Sequence, residues 1–244
     1  MEESARSTNS ELSEFLLRGA INNPRLIPTG SNHAFLVTVG DGLRSCRAVY
    51  KPRTGERPLW DFPSGTLYKR EYVAYLVATA LGWDIVPVTV IREGPYGVGS
   101  LQMFVDADPR SNYFTLREEC LEELEQVALF DCLSNNADRK ASHCFKGRDG
   151  RLWCIDHGLT FHAQPKLRTV IWDFAEKPIS PGLLPQVSAL LEMLSSSSGT
   201  VQAISPLLAP EEVEALRLRL DGLLTSGHFP AHDPYRRNVP WPWL

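Results

Sequence analysis

Two aspartates, Asp138 and Asp156, bracket a stretch of chain that leaves room for little except a short β-hairpin. Residues 143–146 and 151–155 are β-prone, and Gly147-Arg148-Asp149-Gly150 between them has the glycines that a tight connection requires. Asp138 lies just before the hairpin, in a polar loop over residues 135–142 that follows a helix. Asp156 lies at the end of the second strand, two residues before Gly158. An antiparallel pair brings its two open ends side by side. Both carboxylates are therefore expected at one rim of the hairpin, directed into a shared cleft.

Ahead of the hairpin, strands outnumber helices. Residues 11–20 read as a short helix with Leu12, Phe15, Leu16 and Leu17 on its apolar side, after a polar start over residues 1–10 that predicts fraying and has no signal-peptide apolar run. A turn at Pro28-Thr29-Gly30-Ser31-Asn32 leads into a strand over 34–39. Gly40-Asp41-Gly42 joins this to a second strand, 46–51, which Pro52 stops. After a loop over 52–63, Ser64 is an N-cap candidate for a helix over 66–81, with Gly82 just beyond its end. Strands over 86–91 and 98–105 follow. Thr115-Leu116-Arg117-Glu118 reads as a capping box opening a helix whose buried stripe is Leu121, Leu124, Ala128 and Cys132. Beyond the hairpin the clearer helices are 183–194 and 210–224, with a flexible serine-rich connector at 195–199.

Composition narrows the function classes. At 43% hydrophobic and 22% charged the chain can bury a sizeable core, and a net charge of −4 argues against broad nucleic-acid or anionic-membrane binding. No apolar run approaches the ~20 residues of a membrane span. The five cysteines are scattered, odd in number and free of Cys-x-x-Cys spacing, which fits a reducing cytoplasm better than a disulfide framework or a zinc site. Cys144 and Cys154 can face one another across the hairpin, but buried free thiols are the expected state.

Phosphoryl transfer asks for a triphosphate held in place, hard metal ions on its oxygens, and a carboxylate beside the incoming hydroxyl. The block Asn135-Asn136-Ala137-Asp138-Arg139-Lys140-Ala141-Ser142-His143, followed across the hairpin by Cys154-Ile155-Asp156-His157-Gly158, resembles the catalytic loop and metal-binding segment of phosphatidylinositol 3-/4-kinases and HipA-type kinases. The likeness extends back to Ala48-Val49-Tyr50-Lys51-Pro52, similar to the strand that ends in the ATP-phosphate lysine, and to Glu71, which matches the glutamate paired with that lysine. It covers roughly residues 29–161 and looks strongest toward a largely actinobacterial group of kinase-like proteins.

The resemblance implies an α+β, two-lobed protein-kinase-like fold, with a small β-rich N-lobe over residues 1–105 and a mostly helical C-lobe over 106–244. It implies ATP and Mg²⁺, or Mn²⁺, as cofactors. Asp138 would orient or deprotonate the acceptor hydroxyl, Asp156 would hold the metal, and Lys51, fixed by Glu71, would contact the phosphates. Arg139 and Lys140 would neutralise developing charge or hold the Asp138 loop. Gly30, Ser31 and Asn32 sit where the family has its phosphate-covering loop, although they are equally an ordinary turn. Gln102, Met103, Phe104 and Val105 fall at the segment joining the lobes, where adenine binds, although Met103 and Phe104 are equally core residues.

One position departs from the pattern: most relatives have Asn as a second metal ligand where this chain has His143. Imidazole is poorer for Mg²⁺ but can bind Mn²⁺, so His143 is expected to ligate a metal, to hydrogen-bond Asp156, or to pack. The acceptor is expected to be a hydroxyl of a protein Ser/Thr, an inositol-type group or another small molecule. The rival reading is a pseudokinase that binds nucleotide or a partner without turnover.

Overall fold

The computed structural model describes residues 2–196 and 198–244, with side chains from Asn9 onward. The chain divides into two compact units, Met1–Tyr75 with Pro87–Val105, and Leu76–Val86 with Asp106–Leu244.

The first unit opens with α1 (Glu2–Arg18) and a five-stranded antiparallel sheet in the order β1 (Ala20–Ile27), β2 (Ala34–Gly40), β3 (Ser45–Pro52), β5 (Gly97–Met103), β4 (Thr89–Gly94). Alternation along the strands gives the sheet one apolar face, where Val37, Val39, Ala48, Tyr50, Leu101 and Val90 are buried. On α1, Phe15 and Leu16 are buried too, and Arg92 Nη1 donates to the Leu16 carbonyl in the helix's last turn and to the Gly19 carbonyl just past it. Gly19 leaves room for the sheet beside the helix end, because a Cβ there would stand 2.6 Å from the Val39 side chain. The helix reaches back to Glu2, so the expected fraying of residues 1–10 is replaced by helix from Glu2 onward, with Met1 outside the described residues. No Gly or Pro interrupts residues 2–18.

Strand β1 was not expected from the sequence. It is an edge strand, mostly exposed, contains Pro24, and carries an irregularity between Asn22 and Arg25 with Asn23 at φ 52°. Such a polar, interrupted run has none of the alternation that marks a half-buried strand. Likewise Pro52 does not stop β3 but forms its last pair, opposite Gly99.

Helix α2 (Leu67–Ala80) spans the division between the units, so Leu76–Val86, which the sequence assigned to the first lobe, groups with the second. The second unit continues with α3 (Tyr113–Leu116), α4 (Leu121–Ser134), β6 (Cys144–Lys146), β7 (Leu152–Cys154), α5 (Leu184–Ser195), α6 (Gly199–Ile204) and α7 (Pro210–Ser226). The capping box expected at Thr115–Glu118 does not open α4, whose N-cap Cys120 makes no side-chain bond; a different box forms one helix earlier, where Asn112 caps α3 and Thr115, its third residue, accepts from the Asn112 N–H at 3.0 Å. The narrow stripe expected on α4 is also corrected. Leu121 is 55% exposed, whereas Leu124, Val127, Leu129, Phe130, Asp131 and Leu133 are all buried, so the helix is enclosed on nearly every side. In the 195–199 connector, Ser198 caps α6 through the Val201 N–H, and Ser197 lies outside the described residues. After α7, residues 228–244 form neither helix nor strand and fold back onto their own unit. Among the described residues no helix is long and apolar enough to cross a membrane.

Candidate active site

In the first unit, β3 delivers Lys51 at its end, and α2 delivers Glu71. The Lys51 ammonium is hydrogen-bonded to Glu71 Oε1, and the lysine side chain is 25% exposed against 3% for the glutamate. A carboxylate that deep is tolerated because it is paired. Directly opposed residues share a face of a sheet, and the register (Arg25↔Leu36, Leu36↔Val49, Thr38↔Arg47, Val49↔Gln102, Lys51↔Ser100) puts Arg25, Leu36, Thr38, Arg47 and Val49 on the Lys51 face. A cleft of about 480 Å³ lies there, lined by Asn23, Pro24, Arg25, Leu36, Val37, Thr38 and Arg47. None of these residues was expected at the site from the sequence. Their grouping depends on the β1 irregularity, which has no sequence mark strong enough to locate it.

The loop Gly30-Ser31-Asn32 connects β1 to β2, with Gly30 at φ 98°. Asn32 Oδ1 accepts from the Arg57 N–H at 2.8 Å, so this side chain anchors the loop to residues 53–57. Gln102 is buried and donates to Thr89 Oγ1 at 2.9 Å, which fixes it within the sheet. The Met103 and Phe104 N–H groups donate to the Val88 and Arg47 carbonyls at 2.8 and 3.0 Å. The Arg47 guanidinium lies 4.5 Å over the Phe104 ring. Val105 is the first residue of this segment whose N–H meets no carbonyl among the described residues.

In the second unit, α4 ends on Asn135 in the left-handed region (φ 53°), a conformation that Asn tolerates well at a helix C-cap. Asn136 then makes the loop. Its Nδ2 donates to Asp131 Oδ1 at 2.9 Å, and its Oδ1 accepts from the Asp138 N–H at 3.0 Å, a local turn that presents Asp138. Asp138 Oδ2 pairs with Lys140 Nζ at 3.1 Å, and the carboxylate keeps 25% exposure. Burial raises its pKa above the ordinary carboxylate value. Lys140 opposes that rise, and the charge of Asp156 adds to it, so the two aspartates are within electrostatic reach of each other.

Arg139 is placed otherwise than as a phosphate contact. It is fully buried, with Nε donating to both Asp131 oxygens at 3.0 and 3.1 Å and Nη1 to the Ile155 carbonyl at 2.9 Å. Its Nη2 lies 2.8 Å from His157 Nε2. A guanidinium can only donate, so His157 accepts at Nε2 and carries its proton on Nδ1. Burial pushes the arginine's pKa down, but Asp131, together with the neighbouring Cys144 and Cys154, outweighs that and raises it. One side chain thereby joins α4 to the residues on both sides of Asp156. Of the two roles open to it, holding the loop is the one its surroundings support.

Asp156 follows β7 with φ 62°, a left-handed turn that swings the chain out of the strand, and its side chain is 47% exposed. His143 Nε2 lies 3.3 Å from Asp156 Oδ2, while His143 Nδ1 accepts weakly from the Lys140 N–H at 3.5 Å. Cys144 and Cys154 are directly paired across the hairpin as buried thiols, with their sulfurs 3.6 Å apart. Among the described residues no group of three or more His, Cys, Asp or Glu side chains could hold a metal ion. That donor set still fits Mg²⁺ or Mn²⁺ on a nucleotide, since such ions take one or two protein carboxylates and complete their shell with phosphate oxygens and water.

No family model matches the chain. It is 40% identical to "Protein Rv2133c" of Mycobacterium tuberculosis over 251 residues, covering 88% of this chain and 89% of that protein. The chain belongs to the Rv2133c family. This Rv2133c-family chain is also 28% identical over 193 residues to "Phosphatidylinositol 4-kinase gamma 4" of Oryza sativa subsp. japonica, an alignment spanning 70% of this chain but 30% of the plant protein. Its fold is that of kinases. The Golgi casein kinase with Mn/ADP bound superposes with a TM-score of 0.58 at 13% identity, covering 95% of this chain and 81% of that one. A second Golgi casein kinase structure gives 0.54 at 15% identity, with 93% and 79% covered.

Proposed function

We propose that this Rv2133c-family protein is an ATP- and divalent-metal-dependent kinase of the phosphatidylinositol-kinase/HipA type, acting in the reducing cytoplasm on a hydroxyl acceptor. The observation that carries the reading is the pair Asp138 and Asp156, which flank one hairpin at its open end and lie within each other's field. Asp138, with its raised pKa, takes the acceptor proton and is steadied by Lys140. Asp156 would hold the divalent metal. The metal, when bound, neutralises charge on the phosphate oxygens. Lys51, fixed by its bond to Glu71, contacts the triphosphate in the N-terminal lobe, residues 1–105, with Gly30 and Ser31 beside it. At the segment joining that lobe to the C-terminal lobe, residues 106–244, Val105 N–H is the donor available to adenine, with Met103 and Phe104 alongside. The Golgi casein kinase binds Mn and ADP, which supports Mn²⁺ as the ion at a position flanked by His143.

The acceptor is a protein Ser/Thr or a soluble polyol rather than a lipid. The plant phosphatidylinositol kinase is matched over only 30% of its length, and this acidic chain offers no basic membrane-binding surface in its sequence. One observation favours the alternative, a nucleotide-binding pseudokinase: His143 engages the Asp156 carboxylate where the resemblance expects a second metal-binding Asn.

Thermal shift and ADP release with ATP and Mg²⁺ or Mn²⁺ test the proposal. Asp156→Ala should lose metal-dependent nucleotide binding, and Asp138→Ala should keep binding but lose turnover. A nucleotide-dependent shift with no ADP release or labelled product from the wild type would leave the pseudokinase reading standing. Full activity in Asp138→Ala would overturn the assignment of the base.

A further inference from the structure

The last twelve residues are bonded to the segments that carry the proposed chemistry. Ala141, between Asp138 and His143, is fully buried, and its N–H donates to the Trp243 carbonyl at 2.8 Å. Arg139 pairs in parallel with Thr169: its N–H donates to the Arg168 carbonyl at 3.0 Å, and its carbonyl accepts from Val170 at 3.1 Å. Thr169 in turn donates its N–H to the Asn238 carbonyl at 3.0 Å. Asn238, Thr169 and Arg139 therefore form three successive backbone layers, and Asp138 is the next residue along from the innermost.

Asn238 is built to hold that outer layer. Its side chain closes the turn over residues 233–238, accepting from Asp233 N–H at 3.0 Å and donating to the Asp233 and Arg236 carbonyls at 2.8 and 3.1 Å. Its carbonyl takes a second donor, Trp172 Nε1, at 3.0 Å, and the Trp172 ring lies 4.3 Å from the His232 ring. Arg236 Nη1 adds a bond to the Pro165 carbonyl at 2.8 Å.

We propose that residues 233–244 are a strap that sets the position of the phosphoryl-transfer loop, with Asn238 and Trp172 as positioning residues. The inference rests on the kinase reading. A buried N–H that loses its acceptor drives the backbone to find another, so freeing Ala141 and Thr169 shifts the loop that bears Asp138. Lys51, which Glu71 fixes, and Asp156, the residues proposed to hold nucleotide and metal, lie outside residues 137–143. The strap therefore acts on turnover and spares ATP affinity.

The test uses the full chain, Asn238→Ala, Trp172→Phe, and a chain ended after Pro240, with Tyr235→Ala, a residue 94% exposed, as control. Steady-state ADP release is read together with amide hydrogen exchange over residues 137–143 and 168–171. The shortened chain and Asn238→Ala should lose about ten- to a hundredfold in kcat while KM for ATP stays within about twofold. Exchange at Ala141 should rise in the shortened chain, and exchange at Thr169 should rise in Asn238→Ala. Trp172→Phe should show a smaller loss of the same kind, and Tyr235→Ala none. Unchanged kcat in the shortened and Asn238→Ala chains overturns the proposal, and so does a joint loss of kcat and ATP affinity with a lowered melting temperature. A wild type that releases no ADP refutes the kinase reading by itself. The exchange data then decide the strap, and an Ala141 amide as protected without Trp243 as with it sinks it.

Discussion

The Asp131–Arg139 pair offers the sharpest quantitative test of how this fold holds its loop. Both side chains are 0% exposed, and Asp131 also accepts from Asn136 Nδ2 at 2.9 Å and Thr169 Oγ1 at 3.0 Å. Asp131→Ala leaves a guanidinium buried with no carboxylate and two further donors without their acceptor. Removing one member of a buried pair costs about 3–5 kcal/mol, a large share of the roughly 5–15 kcal/mol that holds a domain folded. For a chain of this size that corresponds to a melting temperature lowered by roughly 6–20 °C. Replacing both partners with apolar groups, Asp131→Leu with Arg139→Met, removes the stranded charge and should recover part of the loss. It should not recover turnover, because the bonds from Arg139 to the Ile155 carbonyl and to His157 go with the guanidinium. Circular-dichroism melting of the single and double variants reads the stability, and ADP release reads the function. A melting temperature for Asp131→Ala within about 3 °C of wild type would refute the claim that Arg139 has no route to solvent.

Two further outcomes follow from the carboxylates at the hairpin rim. Burial raises the Asp138 pKa in the folded state above its unfolded value of 3.8, so folding favours the protonated form, and its contribution to stability is lost as pH rises through the folded value. Asp138→Asn should therefore melt above wild type at pH 7, the gap closing as pH falls below 3.8, while activity disappears; a gap that widens on acidification contradicts the burial argument. His143→Asn removes the imidazole that faces Asp156 Oδ2 at 3.3 Å and should shift metal preference from Mn²⁺ toward Mg²⁺. ADP release titrated with each ion checks this, and an unchanged preference takes His143 out of the metal's surroundings.

What could be read from the residues was what local chemistry dictates. Gly147 and Gly150 force the turn between β6 and β7, and the polar run after α4 has to be loop, so Asp138 and Asp156 fall at one end of a hairpin whatever surrounds it. Lys51 closes a strand that alternation marks clearly. The rest depends on partners far apart in sequence. Asp131 sits mid-pattern in α4 like any helical acid, and only the folded chain reveals it as the counter-charge to Arg139. The Arg25 and Arg47 cleft needs the β1 irregularity to form. The bond from Trp243 to Ala141 joins residues about a hundred positions apart, where no periodicity can point.

The balance of costs around the hairpin bears on whether this is a working kinase or a binder. On the proposed reading, holding nucleotide asks for Lys51, fixed by Glu71, and for Asp156. It does not ask for Asp138, a carboxylate pushed toward its neutral form by burial and facing a second acid, with Lys140 as its ion-pair partner. The loop presenting it is nevertheless among the most heavily braced parts of the second unit, pinned through Asn136, Arg139 and Ala141 to three different segments. A destabilised group on a rigid mount is where sequence and stability part company for the sake of chemistry. A pseudokinase would gain by replacing Asp138 with Asn. That this chain keeps the acid, and braces it, favours turnover.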